Sequence, residues 1–333
     1  MVPVSWRVAA VLGALSAGLG TAAHAQTTTG RCIVGGGGAA VSDVCQKGSE
    51  LFSFLMPQIG VAVSSGNPVL GEGGTLGGWG KRALSFRLTA VEGYLPRNTV
   101  PLNAVGAPVA SDFGAVKSAI PLPAADVAIG LFAGVPLGLT NTGGVDVLLG
   151  ASYLPKVSEN DFELEPAGNG VAFSYGARVG VLQESSLIPG VSLSYMRRKL
   201  PTVDIGYTPG NEVLRITGTS VTSNSLRLVA GKRFTFLGLG GGVGRDQIVS
   251  TGGMQATVGT GGSLVDVTLS NLRQEVSRNT AFLNASFSLP IVRIVAEYGW
   301  SSAGTVHETL NGFGARQVNE GYRYGSVGLA TRF

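Results

Sequence analysis

Four arginines, Arg87, Arg178, Arg227 and Arg293, lie in segments where apolar residues alternate with small or polar ones, and each falls on the polar parity. Asp146 and Glu297 share that parity. A guanidinium presents five donors in a planar fork, so such a set supports one of two roles. It can pair with the carboxylates into a network that fills and stiffens an interior, or it can line a passage that steers anionic solutes. Neither role makes or breaks bonds. The sequence holds no G-x-S-x-G, no H-E-x-x-H and no C-x-x-C, and the glycine run 238–244 misses the G-x-G-x-x-G spacing. His307 reads as a solvated loop residue, and the acidic run 158–165 as a solvated loop rather than a cation site. The expectation is therefore a protein that is not an enzyme and carries neither cofactor nor metal.

The elements that would position these charges are strands. Leu84, Phe86, Leu88 and Ala90 alternate with Ser85, Arg87 and Thr89; Val171 to Val181 alternate with Ala172 to Gly180. The same two-residue period runs through 191–195, 226–231, 283–289 and 292–300. Ten strands are expected, near 81–94, 125–134, 144–154, 169–183, 190–201, 223–232, 234–246, 273–289, 291–303 and 319–333. The segment 254–269 is also β-like, so about ten to fourteen strands fit. Connections alternate in length: 95–124, 155–168, 202–222, 247–272 and 304–318 are long, and the others are short, with tight turns at Lys232-Arg233 and Leu289-Pro290.

Composition sets the environment. The chain is 44% hydrophobic and 13% charged, with a mean hydropathy of +0.30, whereas a soluble domain is about a quarter charged. Residues 1–25 read as a secretory signal peptide: Arg7, an apolar run 8–19, and Ala23-His24-Ala25 as the cleavage site. No later stretch is apolar for long enough to span a bilayer as a helix, since the best, 127–139, is broken by Gly130, Gly134, Pro136 and Gly138. An exported, charge-poor chain without a spanning helix points to a closed barrel, the other backbone arrangement that lipid tolerates. A charge facing the bilayer midplane costs roughly 2–4 kcal/mol, so the six charges on the polar parity are expected to face the lumen. The formal net charge of +4, lowered by one on loss of Arg7, gives no case for nucleic acid.

Residues 26–80 differ in character. Cys32 and Cys45 follow the signal peptide into an oxidising compartment, so a disulfide is expected. A helix is expected over 49–56, ended by Pro57, followed by a Gly-rich stretch. Its apolar residues, Leu51, Phe52 and Leu55, suggest docking, either as a plug within the barrel or as a periplasmic cap. The loop 95–124 is apolar for an external loop, and either folds into the mouth or offers an entry surface for apolar ligands.

The last strand carries Val327, Leu329, Thr331 and Phe333 on one face. It resembles the C-terminal strand of Gram-negative outer-membrane β-barrels, with Thr331 where an aromatic or aliphatic residue is common. That resemblance implies that Val327, Leu329 and Phe333 belong to the insertion signal read by the barrel-assembly machinery. The alternation of long and short connections, with the signal peptide, makes this last strand the closing one, pairing back to the one holding Leu84. The plug-plus-barrel layout and greasy loop also resemble, in architecture only, the long-chain fatty-acid and hydrocarbon channel family. The reading at this point is an all-β, up-and-down transmembrane barrel over 81–333 in the outer membrane, in contact with its lipid and lipopolysaccharide. It would serve passive uptake of small solutes, hydrophobic ones included, or instead be a non-transporting structural or surface-binding barrel whose loops carry recognition.

Overall fold

The computed structural model describes residues 31–34, 42–97, 100–103, 106–159, 162–207, 213–260, 263–306 and 308–333. The signal peptide and His307 fall outside them. Ten strands form the barrel wall: β1 (Arg82–Leu95), β2 (Val116–Phe132), β3 (Val145–Tyr153), β4 (Val171–Leu182), β5 (Gly190–Lys199), β6 (Val213–Phe234), β7 (Leu237–Thr260), β8 (Ser263–Ser288), β9 (Arg293–Ser301) and β10 (Tyr322–Arg332). Each pairs antiparallel with its sequence neighbours, β7 bridges β6 and β8, and β10 returns to β1 with Thr331 opposite Leu84. The sheet is a closed ring, so no edge of it meets lipid.

Alternation decides the faces. Phe86, Leu88, Phe173, Tyr175, Leu239, Val243, Leu283 and Phe287 are exposed outside, while Arg87, Thr89, Arg178, Ser192, Ser194, Arg227 and Ser286 are buried inside. Apolar outside and polar inside is the inverse of a soluble sheet, and it is what a wall in hydrocarbon requires. Among the described residues no helix is long and apolar enough to cross a membrane.

Three expectations change. The described residues of 213–222 and 247–272 are not loop but the continuation of β6, β7 and β8, which are 22, 24 and 26 residues long and rise together above the other strands. The β-like segment 254–269 is therefore this extension and adds no strands. A register shift between Gly252 and Met254 places an extra residue on β8, where Asn271 is left-handed (φ 61°). This switches the inward parity of β8, so that Val267 and Leu269 face inward beside Met254, which keeps the even parity of β7. The β6–β7 turn sits at Thr235-Phe236 rather than Lys232-Arg233, with Thr235 in the left-handed region (φ 52°). The last nine residues of the expected 95–124 loop are strand, because β2 begins at Val116.

The helix is also longer than expected: α1 runs Ser42–Ser64, with Pro57 inside. Proline removes the N–H that would bond the carbonyl four residues back, that of Ser53. The barrel wall supplies the donor instead, since Gln274 Nε2 on β8 bonds Ser53 O at 3.2 Å. Of the 23 helical residues only Ser42, Cys45, Gln46 and Ser49 are not buried. A helix buried on nearly all sides needs a surrounding wall, and α1 has one in β6, β7, β1, β8, β2, β5 and β10. The short strand Arg31–Val34 pairs with Val267–Ser270 of β8 beyond the β9 rim. Among the described residues no cysteine is free, and the side chain of Cys32 lies outside them.

Candidate functional site: an arginine cradle in the lumen

An α-helix leaves its last four carbonyls without partners and carries partial negative charge there. The last turn of α1 has no basic residue of its own. The wall provides three. Arg198 on β5 donates to Ser64 O at 2.5 Å and to Gly66 O at 2.9 Å, Arg227 on β6 also donates to Ser64 O, and Arg87 on β1 donates to Ser65 O at 2.7 Å. Carboxylates stand behind them: Asp126 accepts from Arg87 Nε at 2.8 Å, and Asp246 lies 3.8 Å from Arg227. Glu297 is buried on the lumen face of β9. Arg87 and Asp126 are paired and hydrogen-bonded, as charges this deep require, whereas Asp246 faces Arg227 with no hydrogen bond to either of its oxygens among the described residues.

Below the cradle the chain continues along the lumen as an extended segment. Asp146 on β3 accepts from Arg178 at 2.6 and 2.9 Å and from the backbone N–H of Leu76 at 3.1 and 3.2 Å, so one carboxylate ties wall to segment. Glu72 receives Arg293 at 3.2 Å, and Arg332 lies 3.5 Å from it. At Gly73 the two backbones touch: Ser192 Oγ bonds Gly73 O at 2.6 Å, and a Cβ there would run into Gly231 N and Gly190 O. Gly73→Ala is therefore expected to push the segment off the wall and destabilise the barrel by about 1–3 kcal/mol, read as a lowered unfolding midpoint in denaturant.

The opposite end of α1 is closed by loops. Asp43 accepts from the N–H groups of Val109 (2.7 Å) and Asn103 (3.1 Å) and from Lys47 (2.7 Å). Glu50 accepts from the N–H groups of Leu310 (2.8 Å) and Asn311 (2.9 Å). Asp43 lies in the first turn of the helix, where the dipole favours it, whereas Glu50, two turns on, is held by the loop N–H groups. Phe313 stacks on Phe54 (4.1 Å) and Phe113 (5.2 Å), with Val100 and Leu102 buried alongside. The greasy loop thus folds into the mouth. Asp112 clasps the two loops by accepting from Gly114 and Gly314, both at 2.8 Å, which holds its carboxyl below the usual range.

Of the residues singled out by parity, Arg87, Asp146, Arg178, Arg227 and Glu297 are buried in the lumen, and Arg293 is half-buried at the short-turn mouth. There it helps line a cavity of about 520 Å³ with Glu72, Lys81, Arg233 and Arg332. Val327 and Leu329 lie exposed on the outer face, and Phe333 is exposed beyond the strand end. Sequence reasoning missed Arg198, Asp126 and Asp246. Parity marks them when it is carried along the strand, since Arg198 shares a face with Ser192 and Ser194, Asp126 with Ala128, and Asp246 with Gly244.

This geometry defines a transmembrane β-barrel of the outer-membrane type. No family model matches the chain, and no curated protein does. Solved structures it is similar to include the outer membrane protease OmpT of Escherichia coli (10% identity, 76% of this chain and 96% of that one, TM-score 0.39). Another is the translocator domain of the autotransporter NalP of Neisseria meningitidis (15%, 89% and 100%, 0.35). A third is a FadL homologue of Pseudomonas aeruginosa (8%, 76% and 90%, 0.25). These likenesses are of barrel architecture and assign no activity. They do correct one expectation: with a protease among such barrels, missing catalytic motifs do not exclude an enzyme.

Proposed function

We propose that this is a surface barrel sealed by its own N-terminal segment, acting through its long-loop end rather than as an open pore. The observation that carries the reading is α1, buried along the lumen with the Phe54–Phe313–Phe113 stack locking its middle to the long loops and three arginines beneath its last turn. A seal made only of polar contacts would exchange with water readily; an aromatic stack would not. Recognition then falls to the loops and to the raised β7–β8 hairpin. The purified full-length protein in planar bilayers is expected to show no steady conductance above the bare membrane. A stable open level in the wild type would end this reading.

A second reading, passive uptake of small solutes, draws on the cavity of about 520 Å³ at the short-turn mouth and its arginines. It requires α1 to leave the cradle. The resemblance to the fatty-acid and hydrocarbon channel family remains one of layout.

A further inference from the structure

The outer wall is not uniformly convex. Phe86, Leu88, Pro123, Ala125, Ala151 and Val327 contribute to an almost wholly apolar groove of about 600 Å³ on the lipid-facing side of β10, β1, β2 and β3. Small side chains make the hollow, because Ala125 pairs with Phe86 on one side and Ala151 on the other. The next outward row towards the long loops is also small: Ala90, Pro121 and Gly325, and the space where a Cβ of Gly325 would stand is open. Above that row the chemistry changes. Arg323 stands four residues beyond Val327 on the same face, about 13 Å up the strand, beside Trp300 in register. Lys117 lies on β2 opposite Tyr94 and is paired to Glu92 at 2.9 Å. Arg323 and Lys117 are both exposed, and with one intervening carboxylate the cluster is net positive.

We propose that this wall is a binding site for one phosphorylated glycolipid of the outer leaflet, an acyl chain lying in the groove and a phosphate held by Arg323 and Lys117. An apolar slot leading through small residues to two cations and an aromatic ring matches an acyl chain ending in a phosphate. A headgroup needs cations only at the membrane boundary, and the change from the small apolar row to Arg323 beside Trp300 has the pattern of such a boundary. The long-loop end places them on the side where lipopolysaccharide supplies that chemistry.

The test uses the full chain in detergent, with native mass spectrometry and titration of diphosphoryl lipid A, monophosphoryl lipid A and phosphatidylglycerol. Diphosphoryl lipid A is expected to bind as a single copy, in preference to phosphatidylglycerol. The paired substitution Lys117→Gln and Arg323→Gln is expected to weaken it at least tenfold. Ala151→Phe, which fills the groove without touching charge, is expected to weaken diphosphoryl and monophosphoryl lipid A alike. All these positions face outward, and an unchanged unfolding midpoint confirms that the variants fold. Undiminished lipid A binding in either variant, or equal binding of phosphatidylglycerol by the wild type, overturns the proposal.

Discussion

Replacing Asp146 by Ala is expected to cost this barrel about 3–5 kcal/mol, the penalty for leaving a buried partner charge uncompensated. Arg178 would lose bonds of 2.6 and 2.9 Å while staying buried, and the N–H of Leu76 would lose its acceptor. Glu72, 3.9 Å from Arg178, offsets part of the loss, so the lower end of the range is the better figure. Denaturant unfolding of the reconstituted protein measures it. Two controls identify the cause. Asp146→Asn keeps an acceptor for Leu76 and should cost less; Asp146→Ala with Arg178→Leu removes both charges and should recover much of the loss. A double variant as unstable as the single one would show that the ion pair is not the source.

The second large effect is expected at Phe313. It is 1% exposed and sandwiched between Phe54 and Phe113 at 4.1 and 5.2 Å. Phe313→Ala is expected to remove about 3–5 kcal/mol of loop packing. The barrel wall below, held by its ladder, should survive. The visible consequences are therefore local: protease cleavage within 96–115 and 302–321, and intermittent conductance where the wild type is silent. Loops as resistant as the wild type's would mean that the stack is not what closes the mouth. Uncapped loops with a silent bilayer would instead place the seal lower, at the arginines.

Much of the wall was legible in the sequence because lipid leaves a strand little choice. A period of two with arginines on one parity can face only one way, and the strands over 84–90 and 171–181 were read from that alone. What failed were the places where a local signal was overruled from a distance. Pro57 reads as a helix stop, yet α1 passes through it because Gln274, more than two hundred residues on, bonds the stranded carbonyl of Ser53. Met254 and Val267 lie beyond the height a membrane strand needs, so a loop was expected; they continue the sheet because the helix offers an apolar face above the bilayer. Within the candidate site, Arg198 and Asp126 could have been found by parity. Glu72 could not, since the Gly-rich segment around it has no period at all.

The lumen segment runs from one mouth to the other. Arg31–Val34 is zipped to β8 beyond the rim at the long-loop end, and β1 begins at the short-turn end. A chain laid out this way would be hard to feed into a finished cylinder, because it would have to thread past walls that its own side chains fill. It has to be in place while the cylinder is still open. The β10–β1 seam, from Tyr324–Val91 to Arg332–Ala83, is where the two ends of the wall meet. Closing that seam is what encloses α1, and it brings Arg87 of β1 against the carbonyl of Ser65 just past the helix.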